Sequence, residues 1–166
     1  MRYLTLFTAM LIGCSASPLL AADARPALVS AIPSLSAEGA RVALDAAEQV
    51  ARAKGWRICI AVVDAAGDLL AFRRMDGTML VSVDAAIDKA RTSARTAMVS
   101  GQLQDMVDSG AASVLAVRGL TPLRGGVPII VGGQVVGAIA GSGAAAVDDE
   151  IAAKAGAAAI SGALDR

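Results

Sequence analysis

The chain has 166 residues, 15 of them basic and 15 acidic, with two cysteines and no histidine. That balance offers no basic stripe for nucleic acid and no acidic block for a disordered tail. Without histidine, His-based triads and the usual zinc sites are excluded, so no metal centre is expected.

Met1-Arg2, the apolar run Tyr3 to Ile12 and the small residues Gly13-Cys14-Ser15-Ala16-Ser17 follow the charged, apolar, small order of a secretory signal. A bilayer-spanning helix needs about 20 apolar residues, and this run is about half that length, so no transmembrane helix is expected. Residues 1–24 are therefore read as a signal peptide. Two processing routes remain open. Leu11-Ile12-Gly13-Cys14 resembles a lipobox, with Cys14 as the lipidated residue, while Leu20-Ala21-Ala22 and Ala22-Asp23-Ala24 offer ordinary cleavage sites. Either route makes the mature chain periplasmic or secreted, and lipid-anchored if Cys14 is acylated. Residues 25–34, with Pro26 and Pro33, read as a tether. The remaining residues, 35–166, suffice for one domain with a single core.

Ser36 precedes an amphipathic pattern from Ala37 to Lys54, closed by Gly55, which predicts a capped helix. Trp56 to Val63 and Leu69 to Arg74 read as two strands joined by the turn Asp64-Ala65-Ala66-Gly67-Asp68, an antiparallel hairpin. Cys59 lies in the first of these and is expected to be buried; no histidine exists to activate it, and a disulfide framework is excluded. A helix capped by Ser82 is predicted from Val83 to about Val99, then a short one around Gln102 to Asp108 and an apolar strand near Ser113 to Val117. Val127 to Val131 and Gln134 to Ala140 flank Gly132-Gly133, the strongest hairpin signal in the chain. Asp148 or Asp149 is read as the cap of a last, alanine-rich helix reaching Leu164. This order favours an α+β fold with an antiparallel sheet covered by helices.

Four stretches carry a resemblance: Val62-Val63-Asp64-Ala65-Ala66-Gly67 with Arg74-Met75-Asp76-Gly77; Ala85-Ala86-Ile87-Asp88-Lys89-Ala90; Gly125-Gly126-Val127-Pro128-Ile129; and Val136-Gly137-Ala138-Ile139 leading to Ser142-Gly143 and Asp149-Glu150. In order and spacing they resemble the GlcG/HbpS-like family of haem-binding or haem-degrading proteins, over roughly residues 35–163. The resemblance implies a profilin-like fold, with a five-stranded antiparallel sheet between helical layers (α/β/α), and a symmetric oligomer. It also implies haem as the cofactor to consider. Two departures stand out: there is no histidine for haem iron, and the family's Gly-Val-Ser-Gly ending appears as Ala140-Gly141-Ser142-Gly143.

The ligand-binding candidates are Arg74, Asp76, Lys89, Gly125 and Gly126. The Arg74 guanidinium can clamp a carboxylate or propionate bidentately, and Asp76 can orient it or act as a base, although Asp76-Gly77 also suits a plain turn. Lys89 lies on a small apolar helix surface; by itself it reads as a snorkelling lysine, and the resemblance implies a binding role. Gly125-Gly126 lets backbone amides approach a ligand, or serves as a simple connection. Met75, Met79, Met98 and Met106 remain as soft iron ligands, Met75 beside the Arg74 turn, where methionine otherwise fills core gaps. Two functions follow: an exported protein that binds haem or another planar anionic small molecule, or a cofactor-free enzyme acting on a small organic acid with Asp76 as its base. An apolar fraction of 55% leaves little polar surface, which points to a homo-oligomer.

Overall fold

A computed structural model describes residues 30–164. The expected signal peptide, Cys14 and the first half of the tether, residues 25–29, lie outside the described residues. The elements run α1 (Ala37–Lys54), β1 (Cys59–Asp64), β2 (Leu69–Arg74), α2 (Ser82–Thr96), α3 (Ser100–Asp108), a 3₁₀ turn (Ala112–Ala116), β3 (Gly126–Val131), β4 (Gln134–Ser142) and α4 (Ala146–Leu164). Among the described residues no helix is long and apolar enough to cross a membrane.

Local chemistry sets most of these boundaries. The Ser36 hydroxyl accepts the Gly39 amide at 3.1 Å, and Gly55 turns the chain in the left-handed region, its amide capping the carbonyls of α1. Asp64 Oδ1 accepts the amides of Ala66 and Asp68, which closes the β1–β2 turn. Gly132 and Gly133 both have positive φ, 57° and 78°, as a tight hairpin turn requires.

The sheet is antiparallel, in the order β2-β1-β4-β3, and has four strands where five were expected. The missing strand is Ser113–Val117. Its backbone bonds close locally, Val114 onto Ala111 and Val117 onto Val114, and Leu115 and Val117 stay exposed. A short apolar run between Gly110 and Gly119 thus completes its own turn rather than finding a ladder partner. Two helix starts also differ from expectation. Val81, not Ser82, is the N-cap of α2, and Ser82 is buried as its first helical residue. The last helix starts at Ala146, with Asp148 and Asp149 inside its first turn.

Three layers result. On one face Ile60, Val62, Val127, Ile129 and Ile139 meet α1 and α4. The other face carries Cys59, Ala61, Val63, Ala138 and Ala140, and meets α2 through Ala86, Ala90 and Ala94. Branched side chains thus fill one interface and small ones the other, so α2 lies close against the sheet. α1 is tied to β2 by Glu48, a buried carboxylate that accepts from Arg52 at 2.7 Å and from Arg73. On the α2 side, close packing brings a lysine onto the end of β4.

Candidate functional site

Lys89 is 5% exposed on α2. Its Nζ donates to the Gly141 carbonyl at 3.3 Å, to Ser142 Oγ at 3.4 Å and to Asp149 Oδ2 at 3.3 Å. Asp149, 2% exposed, also accepts the Ala144 amide at 3.0 Å through Oδ1. It thus bridges α4 to the turn after β4 while holding the lysine. Ser142 closes β4, so one buried ion pair joins α2, β4 and α4.

The paired glycines are part of the same packing. A Cβ on Gly126 would sit 2.4 Å from the Lys89 carbonyl and 2.6 Å from Ser93 Oγ, and one on Gly125 would sit 2.7 Å from the Gly141 carbonyl and 3.0 Å from Lys89 Nζ. Gly125 also has φ +133°, a conformation that side chains disfavour. Their function is room: the strand start passes where any side chain would displace the lysine. The Ser100 hydroxyl holds that start, accepting the Gly126 amide at 2.8 Å and donating to the Leu123 carbonyl at 2.6 Å.

Above the pair lies a cleft of about 350 Å³, lined in part by Met79, Val81, Lys89, Leu123, Arg124 and Asp149. Its rim is apolar, with Met79 61% exposed. Arg124 forms ion pairs with Asp105 at 2.8 Å and Glu150 at 3.0 Å, which hold its guanidinium further above the usual range. Burial raises the Asp149 carboxyl above the ordinary carboxylate range, against the opposing pull of the Ala144 amide and of Lys89. Desolvation is thus the larger effect. Burial likewise pushes the Cys59 thiol up, with Arg74 lowering it and Asp149 raising it; its buried position fits the structural role expected of it.

Of the candidates read from the sequence, Lys89, Gly125 and Gly126 converge. Arg74 shares a cross-strand row with Cys59 and Ser142, so it belongs to the α2 face, but it is exposed on the edge strand. Asp76 and Met75 line a different cleft, with Arg52, Trp56 and Arg57, and no ion pair joins Asp76 to Arg74 among the described residues. Among the described methionines, Met79 alone lines the Lys89 cleft. Asp149, read as a helix cap, is the lysine's partner; Asp149 and Ser142 were quoted in the resemblance without a site role, and Arg124 was not singled out. The available signal for the first two was their place in the fourth stretch of the resemblance.

The family model described as "Haem degrading protein HbpS-like" matches residues 35–158. The chain belongs to this HbpS-like family. Protein GlcG of Escherichia coli is 35% identical over 105 residues, 63% of this chain and 78% of that protein. A crystal structure of a double mutant of Streptomyces reticuli HbpS superposes with a TM-score of 0.75 at 32% identity, covering 87% of this chain and 97% of that one. The crystal structure of a PduOC–haem complex superposes with a TM-score of 0.68 at 26% identity, covering 76% and 94%. Within the HbpS-like chain, two of the four stretches noted above line one cleft, through Lys89 and through Ser142 with Asp149, and a third packs against the lysine at Gly125.

The ion pair makes a prediction about pH. Replacing Lys89 by methionine removes the cation and pushes the Asp149 carboxyl further up. A carboxyl raised in the folded state contributes stability below its unfolded value, about 4, and that contribution is lost as pH rises through the raised value. Lys89→Met is therefore expected to approach wild-type stability near about pH 4 and to fall behind by about 3–5 kcal/mol at neutral pH, read by urea unfolding across a pH series. A deficit that does not change with pH would assign the loss to packing instead.

Proposed function

We propose that this HbpS-like chain is an exported haem-binding protein that takes its ligand at the Lys89 cleft. The observation that carries the reading is an apolar rim of Met79, Val81 and Leu123 over a floor holding buried Lys89. An apolar surface beside a desolvated cation suits an amphiphilic anion, which is the chemistry of a porphyrin with its propionates. Family membership and the PduOC–haem complex support the same ligand class.

The donor set sets the terms of the fit. With no histidine in the chain and Cys59 buried beneath α2, the thioether of Met79 is the soft donor on the cleft. Met79 is accordingly the residue that would hold the iron, and bound haem would supply a redox-active metal there. Lys89 and Arg124 would take the propionates. The three contacts of Lys89 measure 3.3–3.4 Å, beyond the usual N–H···O range of about 2.7–3.2 Å. A ligand carboxylate at ordinary charge-assisted distance, about 2.7–2.9 Å, is a better acceptor. At about 350 Å³ the cleft is at the small end of ligand sites, so it encloses an edge of a large ring rather than all of it.

The raised Asp149 carboxyl favours a second reading. A buried base beside a cation, on a cleft of this size, suits proton abstraction from a small organic acid. Asp149 then fills the role the sequence had suggested for Asp76. Titration with haemin separates the two. Wild-type protein is expected to give a saturable Soret shift, and Met79→Ala to weaken binding about tenfold or more, about 1.4 kcal/mol. A flat wild-type titration would remove haem and leave the organic-acid reading.

Export and assembly complete the proposal. Residues 1–24 direct the chain out of the cytoplasm, and exposed apolar side chains such as Leu80, at 75%, are covered by further copies of the chain. Native mass spectrometry of protein recovered from the cells that make it is expected to show a multiple of the mature mass, with an N-terminus at a lipidated Cys14 or near Ala22. An unprocessed monomer would contradict both points.

A further inference from the structure

A second cleft, of about 390 Å³, opens where α1 hands over to β1, and is lined by Arg52, Gly55, Trp56, Arg57, Met75 and Asp76. Its chemistry differs from that of the Lys89 cleft. Trp56 is half-buried and packs with Met75 against the large-residue core under α1 and α4, so its position is fixed by the fold. Arg57 is exposed and makes no hydrogen bond or ion pair through its guanidinium among the described residues. That side chain is nevertheless positioned: its Cδ and Nη1 lie 3.1 Å from where a Cβ on Gly77 would be, so the bare turn at Gly77 seats the guanidinium against backbone. Arg52 donates to Glu48 through Nε and Nη2, which leaves Nη1 available. The cleft therefore combines an anchored indole, an uncommitted guanidinium and a half-committed one, with Asp76 as its single carboxylate.

We infer that this cleft is a binding site for small aromatic carboxylates, held by the Arg57 and Arg52 guanidiniums against the Trp56 indole. Guanidinium groups match a carboxylate in bidentate geometry, and an aromatic ring gains from offset or edge contact with an indole beyond what its buried area contributes. Asp76 places the ligand's charge on the arginine side by repulsion. The site is distinct from the haem proposal, because the 75–81 segment divides the two clefts: Met75 and Asp76 face this one, Met79 and Val81 the other.

Trp56 is the only tryptophan in the chain, so its fluorescence reports this cleft directly. Full-length mature protein would be titrated with benzoate, with benzyl alcohol as the uncharged probe and cyclohexanecarboxylate as the non-aromatic one. Benzoate is expected to change the emission saturably, and the other two to bind at least about tenfold more weakly. Arg57→Ala is expected to raise the benzoate dissociation constant about tenfold or more, with Arg57→Lys intermediate because it keeps charge and loses the fork. Arg118→Ala, at an exposed loop arginine, should match wild type. Unchanged emission, an unaltered constant in Arg57→Ala, or equal binding of cyclohexanecarboxylate would each overturn the assignment.

Discussion

The buried pair of Lys89 and Asp149 is the constraint on which the α2 side of this molecule depends. Removing two charges from water costs several kcal/mol per ion, and their attraction returns that only with good geometry and further hydrogen bonds. Here all three lysine donors find acceptors, but at 3.3–3.4 Å, and burial still outweighs the bonds at Asp149. Stability alone is a poor reason for such a pair, since apolar residues of similar volume would fill the space at less cost. What the pair does is hold a desolvated cation beneath a cleft.

Much of the surrounding sequence then has a common purpose. Alanines on α2 and on the facing strands let helix and sheet approach. Gly125 and Gly126 keep side chains away from the lysine, and Ser100 anchors the strand start that passes it. The 75–81 segment, which leaves β2 and enters α2, forms a wall of this cleft with one end and of the Trp56 cleft with the other. Two clefts of different chemistry thus share one short connection, the first with a buried cation and an apolar rim, the second with exposed guanidiniums and a fixed indole.

Local rules made much of the fold legible, although the capping rule misplaced the starts of α2 and α4, which begin at Ser82 and Ala146. The cap at Ser36, the stop at Gly55 and the double glycine of the β3–β4 turn are each settled within a few residues, and each appears in the structure as read. The expected fifth strand failed because an apolar run of five residues does not announce whether a ladder partner exists; Ser113–Val117 had none and coiled into a 3₁₀ turn. In the site, Lys89 was recognisable as an unusual lysine among alanines, but its partner lies 60 residues away, and no local pattern distinguishes a capping aspartate from a buried counter-ion. Arg57 and Trp56 were hidden for a related reason: read as the start of a strand, they are instead the linker that leaves α1. Separation in sequence, rather than weakness of signal, concealed the chemistry.

The central claim, that the ion pair serves the cleft and not the fold, is tested most directly by the unfolding free energy of the double variant Lys89→Met/Asp149→Leu. With both charges gone and the volume retained, its stability at neutral pH should lie within about 1 kcal/mol of wild type or above it, as for other buried pairs exchanged for apolar side chains. A loss of about 3–5 kcal/mol, matching that expected for breaking the pair from one side, would show instead that the pair holds the fold together.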